Sequence, residues 1–114
     1  MILTIEVEER GDVSLVRIAG SVDGLTAGDL LERLTAELAR GRTRLVGSFA
    51  GVEYTSSAGL RVLLAVLKDA RGRGGDLRLA AVRRDVYRVL DLSGFSGILK
   101  IYDDVDAAVA SFAS

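Results

Sequence analysis

The sequence predicts a single α/β domain spanning residues 1–114. Its sheet should be mixed and mostly parallel, opening on a β-hairpin and carrying about four helices. Three observations predict this. Short alternating or apolar runs are interleaved with stretches of helical periodicity, in the order β-β-α-β-α-β-α-β-α. The first two strand-like runs are separated only by the turn "RGD", close enough to pair antiparallel. No linker, low-complexity segment or internal repeat divides the chain, and 114 residues suffice for one core.

Each element has its own signal. From Leu3 to Glu8 the chain alternates, with Leu3, Ile5 and Val7 on one side and Thr4, Glu6 and Glu8 on the other, the period of a half-buried strand. "VSLVRIAG" is the second strand. Thr26 is a candidate N-cap, and Ala27, Leu30, Leu31, Leu34 and Leu38 recur at helical spacing until Gly41. "TRLVGSF" (Thr43 to Phe49) reads as a short central strand, weakened by Gly47. The loop "GVEYTSSAGLR" follows, then a stripe of Leu60, Leu63, Leu64 and Leu67 at i, i+3, i+4, i+7 that ends in "RGRGG". "DLRLAAV" is a strand, "RRDVYRVLDLSG" a short helix with Val86, Val89 and Leu90 inward, and "ILKIY" the last strand. Asp103 is the expected cap of a final helix whose inward set is Val105, Ala108, Val109 and Phe112.

Composition narrows the function. Hydrophobic residues are 49% and charged residues 27%, and the net charge is -1, so the basic footprint of a nucleic-acid binder is missing and no direct nucleic-acid partner is expected. Charges break every apolar run, so no transmembrane segment is expected. "MILTIEVEER" lacks the basic region and cleavage site of a signal peptide, and there is no cysteine; a cytoplasmic location fits both. Histidine is also missing. With neither His nor Cys, a zinc site and the commonest general base are unavailable, so neither a metal, a cofactor nor enzymatic activity is expected.

The stretch "TSSAGLR" (Thr55 to Arg61) concentrates the chemistry. Ser56 and Ser57 sit at or beside the N-cap of the second helix, which allows three readings. One serine can simply cap the helix, stabilising it by about 1 kcal/mol. Alternatively, a hydroxyl there can carry a phosphate, because the helix N-terminus offers partial positive charge and unpaired N–H groups. The third reading, a nucleophilic serine, lacks both a G-x-S-x-G elbow and a histidine, and Lys68 lies about three turns away. Asp23 either closes the turn after Gly20 and Ser21 or belongs to the same site. Arg61 and Lys68, on one helix face, are either solvated or flank a partner surface.

"GVEYTSSAGLRVLL" resembles the signature of the anti-sigma factor antagonists, the STAS-domain proteins of bacterial partner-switching systems. "AGSVDGLTAGDLLERL", "GGDLRLAAV" and "VYRVLDLSGFSGILKIYDDVDAAV" follow in family order, so the resemblance covers nearly the whole chain. It implies a non-enzymatic binding module whose partners are an anti-sigma factor that is also a serine kinase and a phosphatase of the 2C type. Aligning Gly59 places the phosphorylated serine on Ser57, and Asp23, Thr26, Ser56, Ser57 and Arg61 form the expected partner surface. Two positions depart from the family pattern: Ser48 stands where an Asp is usual in the preceding strand, and Ser56 where many members have Asp. The resemblance equally allows a STAS subunit of a transport complex or signalling scaffold with no phospho-switch. A small-molecule or nucleotide binder using the same loop is the remaining alternative.

Overall fold

The structure, a computed structural model, describes residues 2–113. Its elements are β1 (Thr4–Arg10), β2 (Val13–Val22), α1 (Ala27–Ala39), β3 (Arg44–Thr55), α2 (Ser57–Gly72), β4 (Asp76–Ala80), α3 (Arg84–Leu92), a 3-10 turn (Phe95–Gly97), β5 (Lys100–Tyr102) and α4 (Val105–Ala110). The sheet order is β1-β2-β3-β4-β5. β1 pairs antiparallel with β2, from Thr4↔Ala19 to Arg10↔Val13, and every other neighbouring pair is parallel. The expected mixed sheet with its opening hairpin is present.

That strand order dictates where the helices lie. Crossovers between parallel strands are right-handed, so a chain that steps steadily across the sheet places each crossover helix on the same face. Accordingly Leu30, Leu34 and Leu38 of α1, Val62, Leu63, Val66 and Leu67 of α2, and Val86 and Leu90 of α3 share one core with Val16, Ile18, Leu45, Leu77 and Leu79 of the sheet. α4 comes after the last strand and crosses to the other face. There Ala108 packs with Val13, Leu15, Val46 and Ala80, and Val105, Val109 and Phe112 flank it.

Four boundaries differ from the sequence reading. β3 runs on to Thr55, well past Phe49, because it keeps pairing with β2 through two register shifts. The cap of α4 is Asp104, which accepts the Ala107 N–H at 2.7 Å, so Asp103 is free of that task. Val89 is 36% exposed, leaving Val86 and Leu90 as the i, i+4 pair that buries α3. The last strand shrinks to Lys100–Tyr102, since the 3-10 turn and Gly97 consume the residues before it.

Two charged clusters brace the end of the sheet away from the serine loop. Buried Glu37 accepts from Ser14 Oγ (2.7 Å) and Arg40 Nη1 (2.8 Å), while Arg42 Nε donates to the same Ser14 oxygen (2.7 Å). Buried Asp76 accepts from Arg71 Nε (2.9 Å) and Arg78 Nε (3.0 Å), and the Arg78 guanidinium stacks 3.9 Å from the centre of the Phe112 ring. On the β1 edge, Arg10 donates to Glu8 and holds its carboxyl below the ordinary range.

Gly75, which feeds β4, touches Thr43 so closely that a Cβ there would sit 1.9 Å from the Thr43 carbonyl oxygen. Gly75→Ala should therefore force the β3–β4 entry apart and cost about 2 kcal/mol. Urea unfolding should show the midpoint falling with an unchanged slope.

Candidate functional site

The serine loop owes its position to the length of β3. β4 stops at the Ser48↔Ala80 pair, whereas β3 and β2 continue together to Val22↔Thr55. The chain then turns at Ser56, whose extended backbone (φ -92°, ψ 177°) donates its N–H to the Val22 carbonyl at 2.8 Å. "GVEYT", expected as loop, is thus the raised end of a strand, and α2 starts from its tip.

The two serines do different work. Ser56 is the N-cap: its Oγ accepts the Ala58 N–H at 3.2 Å, and its carbonyl accepts the Leu60 N–H at 3.1 Å. Ser57 is the first helical residue and is exposed. Its hydroxyl hydrogen-bonds to none of the described residues, so one serine holds the helix and the other is left free. No acidic residue lies in the first turn of α2, so no carboxylate of the helix itself offsets the positive end of its dipole at Ser57.

Gly59 explains why the motif reads as it does. A Cβ at Gly59 would lie 2.3 Å from Thr55 Oγ1 and 2.8 Å from Val22 Cγ1. Thr55 and Val22 are buried, 4% and 1% exposed. The first turn of α2 therefore rests directly on the ends of β2 and β3, and this contact sets where Ser57 stands.

Asp23 and Thr26 form the neighbouring loop. Asp23 Oδ1 accepts the N–H groups of Leu25 (2.9 Å) and Thr26 (3.2 Å), and its carbonyl accepts the Ala27 N–H (2.8 Å). Asp23 thus satisfies the opening amides of α1, the task the sequence reading gave to Thr26. Thr26 makes no side-chain cap; it is 6% exposed, and its hydroxyl donates to the Ser21 carbonyl (2.8 Å) while accepting the Asp23 N–H (2.9 Å). Of the expected partner surface, Ser57 and Arg61 are exposed, Asp23 and Ser56 are half-buried, and Thr26 braces the loop from inside.

Two exposed apolar side chains at this end were not predicted as part of the site. Leu25 is 91% exposed and Tyr54 is 53% exposed. Tyr54 escapes the core because register shifts in β3 redirect its last residues. Ser48 pairs with Arg17 and Ala80. At about 3.3 Å of rise per residue it lies roughly 20 Å upstream of the loop, so its replacement of an acid does not touch Ser57 directly. Among the described residues, no group of three or more His, Cys, Asp or Glu side chains is placed to hold a metal, and no helix is long and apolar enough to cross a membrane.

Fold and site together define a small α/β domain with an exposed serine hydroxyl at the mouth of its second helix. The chain belongs to the STAS domain family, whose pattern it matches over residues 4–108. It is 36% identical over 95 residues to a protein of Bordetella bronchiseptica named "Putative anti-sigma factor antagonist BtrV", covering 83% of this chain and 82% of that one. It is 31% identical over 105 residues to the anti-sigma F factor antagonist of Paenibacillus polymyxa, covering 91% and 90%. The crystal structure of a "putative anti-sigma factor antagonist" from Thermotoga maritima superposes with a TM-score of 0.92 over 96% of this chain and 95% of that one, at 24% identity, a likeness of fold.

The division of labour between the serines is measurable. Ser56→Ala should lose the cap and destabilise the domain by about 1 kcal/mol, while Ser57→Ala should stay within about 0.5 kcal/mol of the parent. Equal losses in thermal or urea unfolding would mean the two hydroxyls share the cap.

Proposed function

We propose that this chain is an anti-sigma factor antagonist. In this reading it docks an anti-sigma factor that is also a serine kinase, through the mouth of α2, and is released when that kinase phosphorylates Ser57. A phosphatase of the 2C type restores the docking form. The observation that carries the reading is the free, exposed Ser57 hydroxyl beside a cap already supplied by Ser56. The names of the relatives above support the partner class.

The physical chemistry separates what phosphate does to the carrier from what it does to the interface. The Ser57 oxygen attacks the γ-phosphorus of the kinase's ATP, its proton passes to a base on the kinase, and ADP leaves. The product carries about -1.5 to -2 charges. Within the domain that charge sits at the positive end of α2, a placement worth about 0.3–1 kcal/mol. Arg61 stands at i+4 from Ser57, makes no ion pair among the described residues, and can reach the phosphate along the helix face for a few tenths of a kcal/mol more. The fold therefore tolerates the charge. In a docked complex the same charge is desolvated against a surface shaped for a neutral hydroxyl, which costs about 2–5 kcal/mol. Leu25 and Tyr54 supply apolar area beside the hydroxyl, the combination of apolar anchor and polar centre that docking surfaces use.

Ser57→Asp should weaken binding to the cognate anti-sigma kinase by about 30-fold, equivalent to about 2 kcal/mol, with an unchanged melting temperature. Ser57→Ala should bind like the parent and stay bound when ATP is added. Calorimetric titration of both variants checks this, and indistinguishable affinities would defeat the reading.

A further inference from the structure

The carboxyl edge of the sheet holds a second feature, apart from the serine loop. β4 and β5 are parallel neighbours in register at Ala80↔Tyr102. The chain leaves them in opposite directions: β4 feeds α3 on one face, and β5 feeds α4 on the other. Between β2 and β3, and between β3 and β4, both outgoing chains turn to the same face. Diverging exits open a crevice beyond the strand ends, the place where parallel α/β sheets hold ligands.

The crevice is present, with a volume of about 420 Å³, lined by Val82, Arg84, Tyr87, Ile101, Tyr102 and Asp103. That is within the size range of small-molecule sites, roughly 300–1,000 Å³. Just before Val82 in the chain stands Ala81, whose φ of +58° makes it the one non-glycine residue with positive φ among the described residues. Ala81 holds this left-handed backbone while donating its N–H to the Tyr102 carbonyl at 3.0 Å, which turns the β4 exit away from β5. Strain of this kind persists where the surroundings demand it, often at ligand clamps.

The polar lining is unspent. Arg71, Arg73 and Arg78 reach carboxylates at 2.9, 2.8 and 3.0 Å. Arg84 and Asp103 face the same hollow, yet neither forms an ion pair or side-chain hydrogen bond with any described residue, nor with the other. Tyr87, 41% exposed, adds an aromatic ring to the lining, while half-buried Tyr102 borders it with its side chain packed against the α4-face core.

We propose that this crevice binds a small planar molecule with an anionic group at one end and N–H or O–H donors at the other. The Arg84 guanidinium takes the anion as a fork. Asp103, acceptor-only when ionised, takes the donors. The Tyr87 ring lies against the planar body. A purine nucleoside monophosphate and an aromatic amino acid with a ring N–H or O–H share this chemistry.

Amide NMR titrations of the full chain with AMP and GMP in one arm, and L-tyrosine and L-tryptophan in the other, test it. One arm should give saturable shifts confined to Val82–Tyr87 and Ile101–Asp103, and that arm identifies the source. Arg84→Gln and Asp103→Asn should each weaken the binding about tenfold, while Arg33→Gln, a matched loss of charge on α1, should leave it unchanged. The proposal fails if neither arm gives saturable shifts there up to about 10 mM. It equally fails if the shifts centre on Ser57–Gly59, or if they survive Arg84→Gln.

Discussion

The first turn of α2 rests its bare backbone at Gly59 on the Thr55 and Val22 side chains at the ends of β3 and β2, and the position of the serine loop follows from that contact. Gly59 is the point of closest approach, against Thr55 and Val22. It can sit there only because β3 outruns β4 and carries its tip beyond the rest of the sheet. Ser56 is tied to Val22 by a backbone hydrogen bond and to Ala58 by its hydroxyl. With those anchors in place, Ser57 has a defined position without making any bond of its own. A hydroxyl held by its own hydrogen bonds would have to break them to react; this one is held through its neighbours.

The opposite end of the sheet is built on another principle. Glu37 with Ser14, Arg40 and Arg42, and Asp76 with Arg71 and Arg78, are buried carboxylates whose oxygens are matched by donors. Removing one partner from such a cluster leaves an uncompensated charge, so these groups resist rearrangement. Polar chemistry at that end is spent on rigidity. At the carboxyl end, Ser57, Arg61, Arg84 and Asp103 form no side-chain bonds to the described residues, and their chemistry remains available to something outside the chain.

Much of this was legible in the sequence because the signals were local. The period-2 run of Leu3, Ile5 and Val7 marked β1, Gly41 marked the end of α1 with φ +83°, and the stripe through Leu63 and Leu67 marked the buried face of α2. What misled were positions whose role depends on a neighbour across the sheet. Thr26 looked like a cap because threonine often is one, but its hydroxyl is drawn to the Ser21 carbonyl and Asp23 takes the amides instead. "GVEYT" looked like loop because of its glycine and its charge, yet pairing with β2 makes it strand. The same shifts of register put Tyr54 outside and Val52 inside, at 53% and 0% exposure, which no alternation count along the chain reveals. The crevice at β4 and β5 was beyond reach for a related reason: it arises from the direction in which two distant connections leave the sheet.

Under the proposed function, the position of charge along α2 is what would let one surface serve as both a docking face and a switch. The helix has Arg61 one turn after Ser57 and no acid in its first turn, so a neutral Ser57 presents a mildly positive mouth to a partner. Adding a dianion reverses the sign of that mouth while using interactions the helix already offers, its amide dipoles and Arg61. The reversal is confined to the first turn because the dipole effect decays within it, and because screening at physiological salt limits its reach to about 8 Å. Ser48 and the buried clusters lie outside that radius. A partner that contacts only the mouth of α2 therefore feels the whole change, and the core that holds the mouth in place feels almost none of it.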